Sequence, residues 1–249
     1  MNYINPPTEY PANITHKTFY SQLYSHELGY NIYLPPEYET SGKNYPVHYH
    51  LHGWTGNESS EIGTMEPRYA NEPSIVVFPN SSPVIEAREY LPVEAMLLTE
   101  LMPHIEGKYR TDTAGESRWI SGFSMGGGAA FYYAAKYPEL FRGVTAYAGT
   151  YHHYYHKGYR GVGEAPDKAP QLYQEMMQEQ RHLEENNVLS VIRRNAGNIR
   201  GKLDIRLHIG TADILFCDNE IMHLYLNDLN IPHTYTVFEE AGHELAKIL

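Results

Sequence analysis

Eight stretches of the chain carry the apolar pattern of β-strands, and between them the repeat lengthens to that of helices. Residues 16–20 and 28–34 come first. The second alternates around Tyr30, Ile32 and Leu34 until Pro35-Pro36 stops it, and the two read as an antiparallel edge pair. Residues 47–51 and 74–78 follow, the latter apolar at nearly every position, as a strand covered on both faces should be. Over residues 93–109 the period changes. Val93, Met96, Leu97, Leu101 and Ile105 fall on one helical face. Residues 119–121 are a strand again, and residues 124–136 a helix that Tyr137-Pro138 ends. Residues 143–147, 203–209 and 233–238 are further strands, with a helical run over 219–229 between the last two.

Alternation of this kind predicts an α/β fold, a mostly parallel eight-stranded sheet with helices on both faces. A single domain over residues 1–249 suits the length, because a chain of that size buries most of its unfolded surface. Segment 149–198 breaks the rhythm with a loop rich in Tyr, His and Gly, then helical runs near 171–183 and 188–199. It is expected to be an insertion after the sixth strand, lying over the edge where ligand-binding loops gather.

Charge narrows the partners. Nineteen Lys and Arg against 30 Asp and Glu leave a net charge of −11, which repels phosphate backbones and anionic headgroups, so neither nucleic acid nor membrane is expected. Cys217 is the only cysteine, which rules out an intrachain disulfide and a cysteine-based zinc site. The first ten residues, MNYINPPTEY, hold no basic region and no apolar run, and no later stretch is long enough to span a bilayer. The chain as given therefore reads as soluble and cytoplasmic, a reading that a processed secreted chain would also satisfy. Oligomeric state is not legible.

Candidate chemistry centres on Gly122-Phe-Ser124-Met-Gly126, a G-x-S-x-G run between a short strand and a helix. In a nucleophile elbow the serine sits on a strained strand-to-helix turn that lifts its hydroxyl clear of the sheet. The next backbone N–H, that of Met125, then faces the position of a developing oxyanion. A serine nucleophile needs a base and an orienting acid, which in this architecture follow it in the order Asp or Glu, then His. Strand 203–209 runs into Gly210-Thr-Ala-Asp213, and strand 233–238 into Glu239-Glu-Ala-Gly-His243. Asp213, with Asp218 as the rival acid, and His243 are thus the expected partners of Ser124. A second oxyanion donor is expected from His52-Gly53-Trp54, with Trp54 assigned and Gly53 or Thr55 as alternatives.

Two histidine sets invite a metal reading. His48, His50 and His52 alternate, so on a strand they share a face, but that face is expected to lie under crossover helices and no acidic cluster completes a site. His152, His153 and His156 are read instead, with neighbouring tyrosines, as part of a pocket wall. No metal or other cofactor is expected, and Gly158-Tyr-Arg-Gly161-Val-Gly163 matches no nucleotide-binding order. Tyr151, His152, Tyr154, Tyr155 and Tyr159 are the expected substrate-binding residues, because tyrosines can both stack on a phenyl ring and hydrogen-bond its hydroxyl.

Together these residues resemble the putative-esterase family of α/β-hydrolases, the group of feruloyl and acetylxylan esterases (carbohydrate esterase family 1), esterase D-like S-formylglutathione hydrolases and mycolyltransferases. The matching pieces are Tyr30-Asn-Ile-Tyr-Leu-Pro-Pro36, Tyr45-Pro-Val-His-Tyr-His-Leu-His-Gly53, Leu101-Met-Pro-His-Ile-Glu106, Arg118-Trp-Ile-Ser-Gly-Phe-Ser-Met-Gly-Gly127, Gly210-Thr-Ala-Asp213 and Gly242-His243. The resemblance implies an α/β-hydrolase fold, Ser124, Asp213 and His243 as catalytic residues, and Trp54 and Met125 as oxyanion donors. Many relatives carry tryptophans after the histidine, where this chain has Glu244-Leu-Ala-Lys-Ile-Leu249. The expected activity is that of a serine carboxylesterase acting through an acyl-enzyme on feruloyl or acetyl esters of plant-polysaccharide fragments. The rivals are a thioesterase of the S-formylglutathione type, an acyltransferase, and an inactive hydrolase fold used for binding.

Overall fold

The computed structural model describes residues 2–70, 72–81, 91–151, 163–178 and 188–249. Its elements in chain order are β1 (Ile14–Ser21), β2 (His26–Tyr33), α1 (Tyr38–Ser41), β3 (Val47–Leu51), α2 (Glu66–Tyr69), β4 (Ile75–Pro79), α3 (Leu91–Met96), α4 (Met102–Lys108), β5 (Arg118–Phe123), α5 (Met125–Lys136), β6 (Gly143–Tyr147), α6 (Ala169–Gln178), α7 (Val188–Ile199), β7 (Asp204–Gly210), α8 (Phe216–Asp228) and β8 (Thr234–Phe238). All eight expected strands are present. A π-helical turn, Leu97–Leu101, joins α3 to α4, so the helix expected over 93–109 is continuous but locally widened.

The strands form one sheet in the order β1-β2-β4-β3-β5-β6-β7-β8. β1 and β2 pair antiparallel, as do β2 and β4, while every pair from β4 to β8 is parallel. Parallel strands bring their C-terminal ends to one edge. The register aligns Leu51 with Gly122, Phe123 with Tyr147, Tyr147 with His208, and Gly210 with Phe238. The loops that follow β3, β5, β6, β7 and β8 therefore emerge side by side.

Strand alternation divides the core in two. Val47, Tyr49, Leu51, Ile75, Val77, Ile120 and Val144 point to the side covered by α3, α4, α5, α7 and α8. Val76, Phe78, Tyr147 and Ile209 point to the other, which is closed by Ile62, Met65 and Tyr69 around α2 and by Leu245 and Ile248 near the C-terminus. Helix α5 is buried from Gly126 to Ala135, consistent with a sequence that is apolar all round. Helix α7 lies against it, where Asn195 donates to the carbonyls of Ala135 and Lys136.

Segment 149–198 behaves differently from the expected cap where it is described. Val188, Leu189, Val191 and Ile192 of α7 enter the main core, so α7 serves as the crossover helix between β6 and β7. Tyr173 of α6 bonds Asp228 of α8 on the same face. Gly163 returns to the edge where the parallel strands end, its N–H donating to the Ile214 carbonyl at 2.8 Å. Residues 152–162 and 179–187 lie outside the described residues.

Candidate active site

Ser124 occupies the turn between β5 and α5 with φ 55° and ψ −115°, a left-handed conformation that costs a non-glycine residue on the order of 1–3 kcal/mol. Its surroundings hold it there. The Ser124 N–H donates to the Tyr147 carbonyl (2.8 Å), and its own carbonyl accepts from the N–H groups of Gly128 and Thr150, both at 3.0 Å. The flanking glycines are a matter of space: a Cβ at Gly122 would run into the Gly126 carbonyl, and one at Gly126 into the Leu51 carbonyl. The chain can make this turn only because both positions lack side chains.

His243 arrives on the loop after β8 and Asp213 on the loop after β7. His243 Nε2 lies 2.9 Å from Ser124 Oγ, and Nδ1 lies 2.8 and 3.0 Å from the two carboxylate oxygens of Asp213. A carboxylate only accepts, so Nδ1–H donates to Asp213 and Nε2 is left as the acceptor for the serine hydroxyl. The Asp213 side chain is inaccessible to solvent while that of His243 is 30% exposed. Asp213 also accepts the Leu215 N–H at 2.8 Å, and the Phe123 ring packs on the His243 imidazole with centroids 4.8 Å apart. Of the two acid candidates Asp213 meets the histidine. Asp218, fully buried in the first turn of α8, accepts the Tyr151 N–H at 2.5 Å and so anchors the chain after β6.

The loop leaving β3 presses on the elbow. A Cβ on Gly53 would stand 3.1 Å from the Phe123 ring, and the position Gly126 leaves open is bordered by the carbonyls of Leu51 and His52. The Gly53 N–H is engaged by Glu61 Oε1 at 2.9 Å. The Gly53 carbonyl accepts from the Gly56 N–H (3.0 Å) and from His52 Nδ1 (2.8 Å), and Thr55 takes a left-handed φ of 62°. Since the Gly53 carbonyl and the Trp54 N–H belong to one trans peptide, fixing the first aims the second the opposite way. Trp54 is 58% exposed. Met125 begins α5, with its N–H at the positive end of that helix dipole.

His48 and His50 share a face, as their alternation predicts, and both hydrogen-bond Ser121 Oγ, at 2.6 and 2.7 Å. The cover differs from expectation. His50 packs on Phe78 and Tyr147 and reaches Glu61 (2.7 Å), on the side closed by α2 and loops rather than by the crossover helices. His52 donates through Nδ1 and accepts through Nε2 from the Ser81 N–H at 3.1 Å. Burial lowers the pKa of His48 to about 3 and also lowers that of His52. Among the described residues no three or more His, Cys, Asp or Glu side chains group as metal ligands would. Nor, among them, is any helix long and apolar enough to cross a membrane.

Tyr151 does not line a ligand site in this structure: it is fully buried, its ring edge-on to Phe131 at 5.5 Å. That placement corrects the pocket wall expected of it. His152, Tyr154, Tyr155 and Tyr159 lie outside the described residues.

A serine on a strained elbow at the C-terminal edge of a mostly parallel eight-stranded sheet, with a histidine and an acid on the later loops, defines an α/β-hydrolase fold. The chain belongs to the family described as "Putative esterase", which matches residues 21–247. It is 35% identical over 133 residues to Esterase Rv1288 of Mycobacterium tuberculosis, an overlap of 49% of this chain and 29% of that protein. The match thus spans less than a third of that relative's length. Among solved structures, a ferulic acid esterase superposes with a TM-score of 0.73 at 23% identity, over 94% of this chain and 92% of the other. An S-formylglutathione hydrolase from Staphylococcus aureus superposes with a TM-score of 0.72 at 17% identity, with the same coverage.

Proposed function

We propose that the chain is a cofactor-independent serine carboxylesterase. The observation that carries this reading is the unbroken line of hydrogen bonds from Ser124 Oγ through His243 to Asp213, at 2.9 and 2.8 Å, set on an elbow whose backbone is otherwise unfavourable. In the reaction Ser124 Oγ attacks the ester carbonyl while His243 Nε2 takes its proton. Asp213 holds the imidazole by Nδ1 and stabilises the imidazolium. The backbone N–H groups of Met125 and Trp54 receive the oxyanion. His243 then gives its proton to the departing alcohol, leaving an acyl-enzyme; as general base it next takes a proton from the water that attacks the acyl carbon, and returns it to Ser124 Oγ as the acid leaves.

The substrate we favour is a feruloyl or acetyl ester on a plant-polysaccharide fragment. Its support is family membership together with the likeness to a ferulic acid esterase. The likeness to an S-formylglutathione hydrolase makes a thioester the competing substrate. A panel of methyl ferulate, an acetylated xylo-oligosaccharide, p-nitrophenyl butyrate and S-formylglutathione separates them. We expect kcat/KM to be highest on an oxygen ester. Preferred turnover of the thioester would overturn the substrate assignment while leaving the mechanism intact.

A further inference from the structure

Beneath the loop that leaves β3 runs a line of polar groups, buried apart from the half-buried His48 at its start, that the reaction itself does not use. His48 Nε2 lies 2.6 Å from Ser121 Oγ, which lies 2.7 Å from His50 Nδ1. His50 Nε2 lies 2.7 Å from Glu61 Oε2, and Glu61 Oε1 accepts the Gly53 N–H at 2.9 Å. Ser121, His50 and Glu61 are all buried. A carboxylate has no proton to give, so both contacts to Glu61 run towards it. In a neutral imidazole that leaves His50 Nδ1 as the acceptor for the Ser121 hydroxyl, whose oxygen in turn accepts His48 Nε2–H. Every donor in the line therefore points one way, and Glu61 is where it ends.

Resting on the esterase reading above, we propose that Glu61 is a positioning residue for the oxyanion donor, orienting the Gly53 backbone through a carboxylate that His50 holds in place. The peptide between His52 and Gly53 is confined on both sides. Its carbonyl borders Gly126 in the first turn of α5, and its N–H is bound by Glu61. The next peptide supplies the Trp54 N–H. Gly53 joins the two, and glycine resists rotation less than any other residue. A side chain at this position would crowd the elbow, because a Cβ there would stand 3.1 Å from the Phe123 ring. The loop is therefore held by hydrogen bonds at a position where a side chain would be tight. His50 and Ser121 tie that lock to β3, which leads into this loop, and to β5, which leads into the elbow.

The test compares wild type, Glu61→Gln, Glu61→Ala and Ser124→Ala in kcat and KM on p-nitrophenyl butyrate, in inhibition by a trifluoromethyl ketone, and in thermal unfolding. The ketone forms an oxyanion on the serine, so its affinity reports the donor directly. Removing one oxyanion donor outright costs about 10²–10³ in kcat. Misaiming one should cost roughly ten- to a hundredfold in Glu61→Ala, with KM within about twofold and ketone affinity falling in step with kcat. Glu61→Gln should be intermediate. Its amide oxygen can still accept the Gly53 N–H, but its NH₂ confronts His50 Nε2–H, and its near-identical shape guards against simple misfolding. A lower melting temperature with kcat and ketone affinity unchanged in both Glu61 variants would show that Glu61 only stabilises the fold, and would overturn the proposal. Turnover in Ser124→Ala equal to wild type would overturn the esterase reading and this proposal together.

Discussion

His243 Nε2 approaches Ser124 Oγ to 2.9 Å across 119 residues of chain. Parallel pairing accounts for the meeting, because it delivers the ends of β5, β7 and β8 to one edge and leaves only short loops to close the gap. The loop after β8 is further pinned by the Ala212 N–H to the Ala241 carbonyl, at 3.0 Å.

That geometry separates the two buried aspartates. Asp213→Asn should lower kcat by something on the order of 10⁴, because an amide no longer fixes the imidazole tautomer. Asp218→Ala should instead leave the Tyr151 N–H without its partner, destabilising the fold by about 1–3 kcal/mol while kcat changes little. Steady-state kinetics and urea unfolding on both variants check this, and the reverse ranking would move the acid to Asp218.

The elbow glycines yield a second expectation. Gly126→Ala forces a methyl into the Leu51 carbonyl, a backbone atom of a central strand that cannot step aside. Overpacking of this kind typically costs 1–3 kcal/mol or more. Activity should fall with it, as the strand end and the helix start move apart. Gly107→Ala, on α4 where a Cβ meets nothing within 4 Å, is the control and should leave activity unchanged and stability equal or slightly raised.

Much of this was legible beforehand, for a physical reason. Central strands such as β4 and β6 are buried on both faces, so their apolar runs stand out, and the glycine-flanked Ser124 is dictated by close backbone approach. What escaped was long-range or depended on which way a ring turns. Tyr151 read as a pocket residue from its Tyr- and His-rich neighbours, yet its ring turns inward to Phe131, a choice that composition cannot express. The helix over 93–109 carries a π turn that apolar periodicity averages away. Glu61 gave no signal at all: its partners are His50, one strand earlier, and a backbone N–H. The alternation of His48 and His50 did mark a shared face, and the structure supplies Ser121 as the group they share.

Acid stability follows from the same histidines. Burial disfavours the charged form of both His48 and His52 in the fold, and it brings the His48 pKa down to about 3 against an ordinary value near 6.5. Between those values the unfolded chain binds more protons than the folded one, so stability must fall as pH drops below about 6.5. Each such site contributes at most about 1.4 kcal/mol per pH unit. Urea midpoints measured from pH 7 to pH 4.5 should decline, and less steeply in His48→Asn. An identical slope in the variant would mean that His48 takes no part.

The central claim is that Ser124 carries the acyl group between two half-reactions, and it is tested most directly by trapping that intermediate. Wild-type protein mixed with p-nitrophenyl acetate, acid-quenched within the first turnovers and digested, should show the acetyl group on the peptide containing Ser124. A burst of p-nitrophenol equal to the enzyme concentration should accompany it if deacylation is slow, and Ser124→Ala should show neither label nor more than about a tenth of the turnover. An acetyl group found on another residue, or a folded Ser124→Ala protein that turns over ester at a rate close to wild type, would contradict the account.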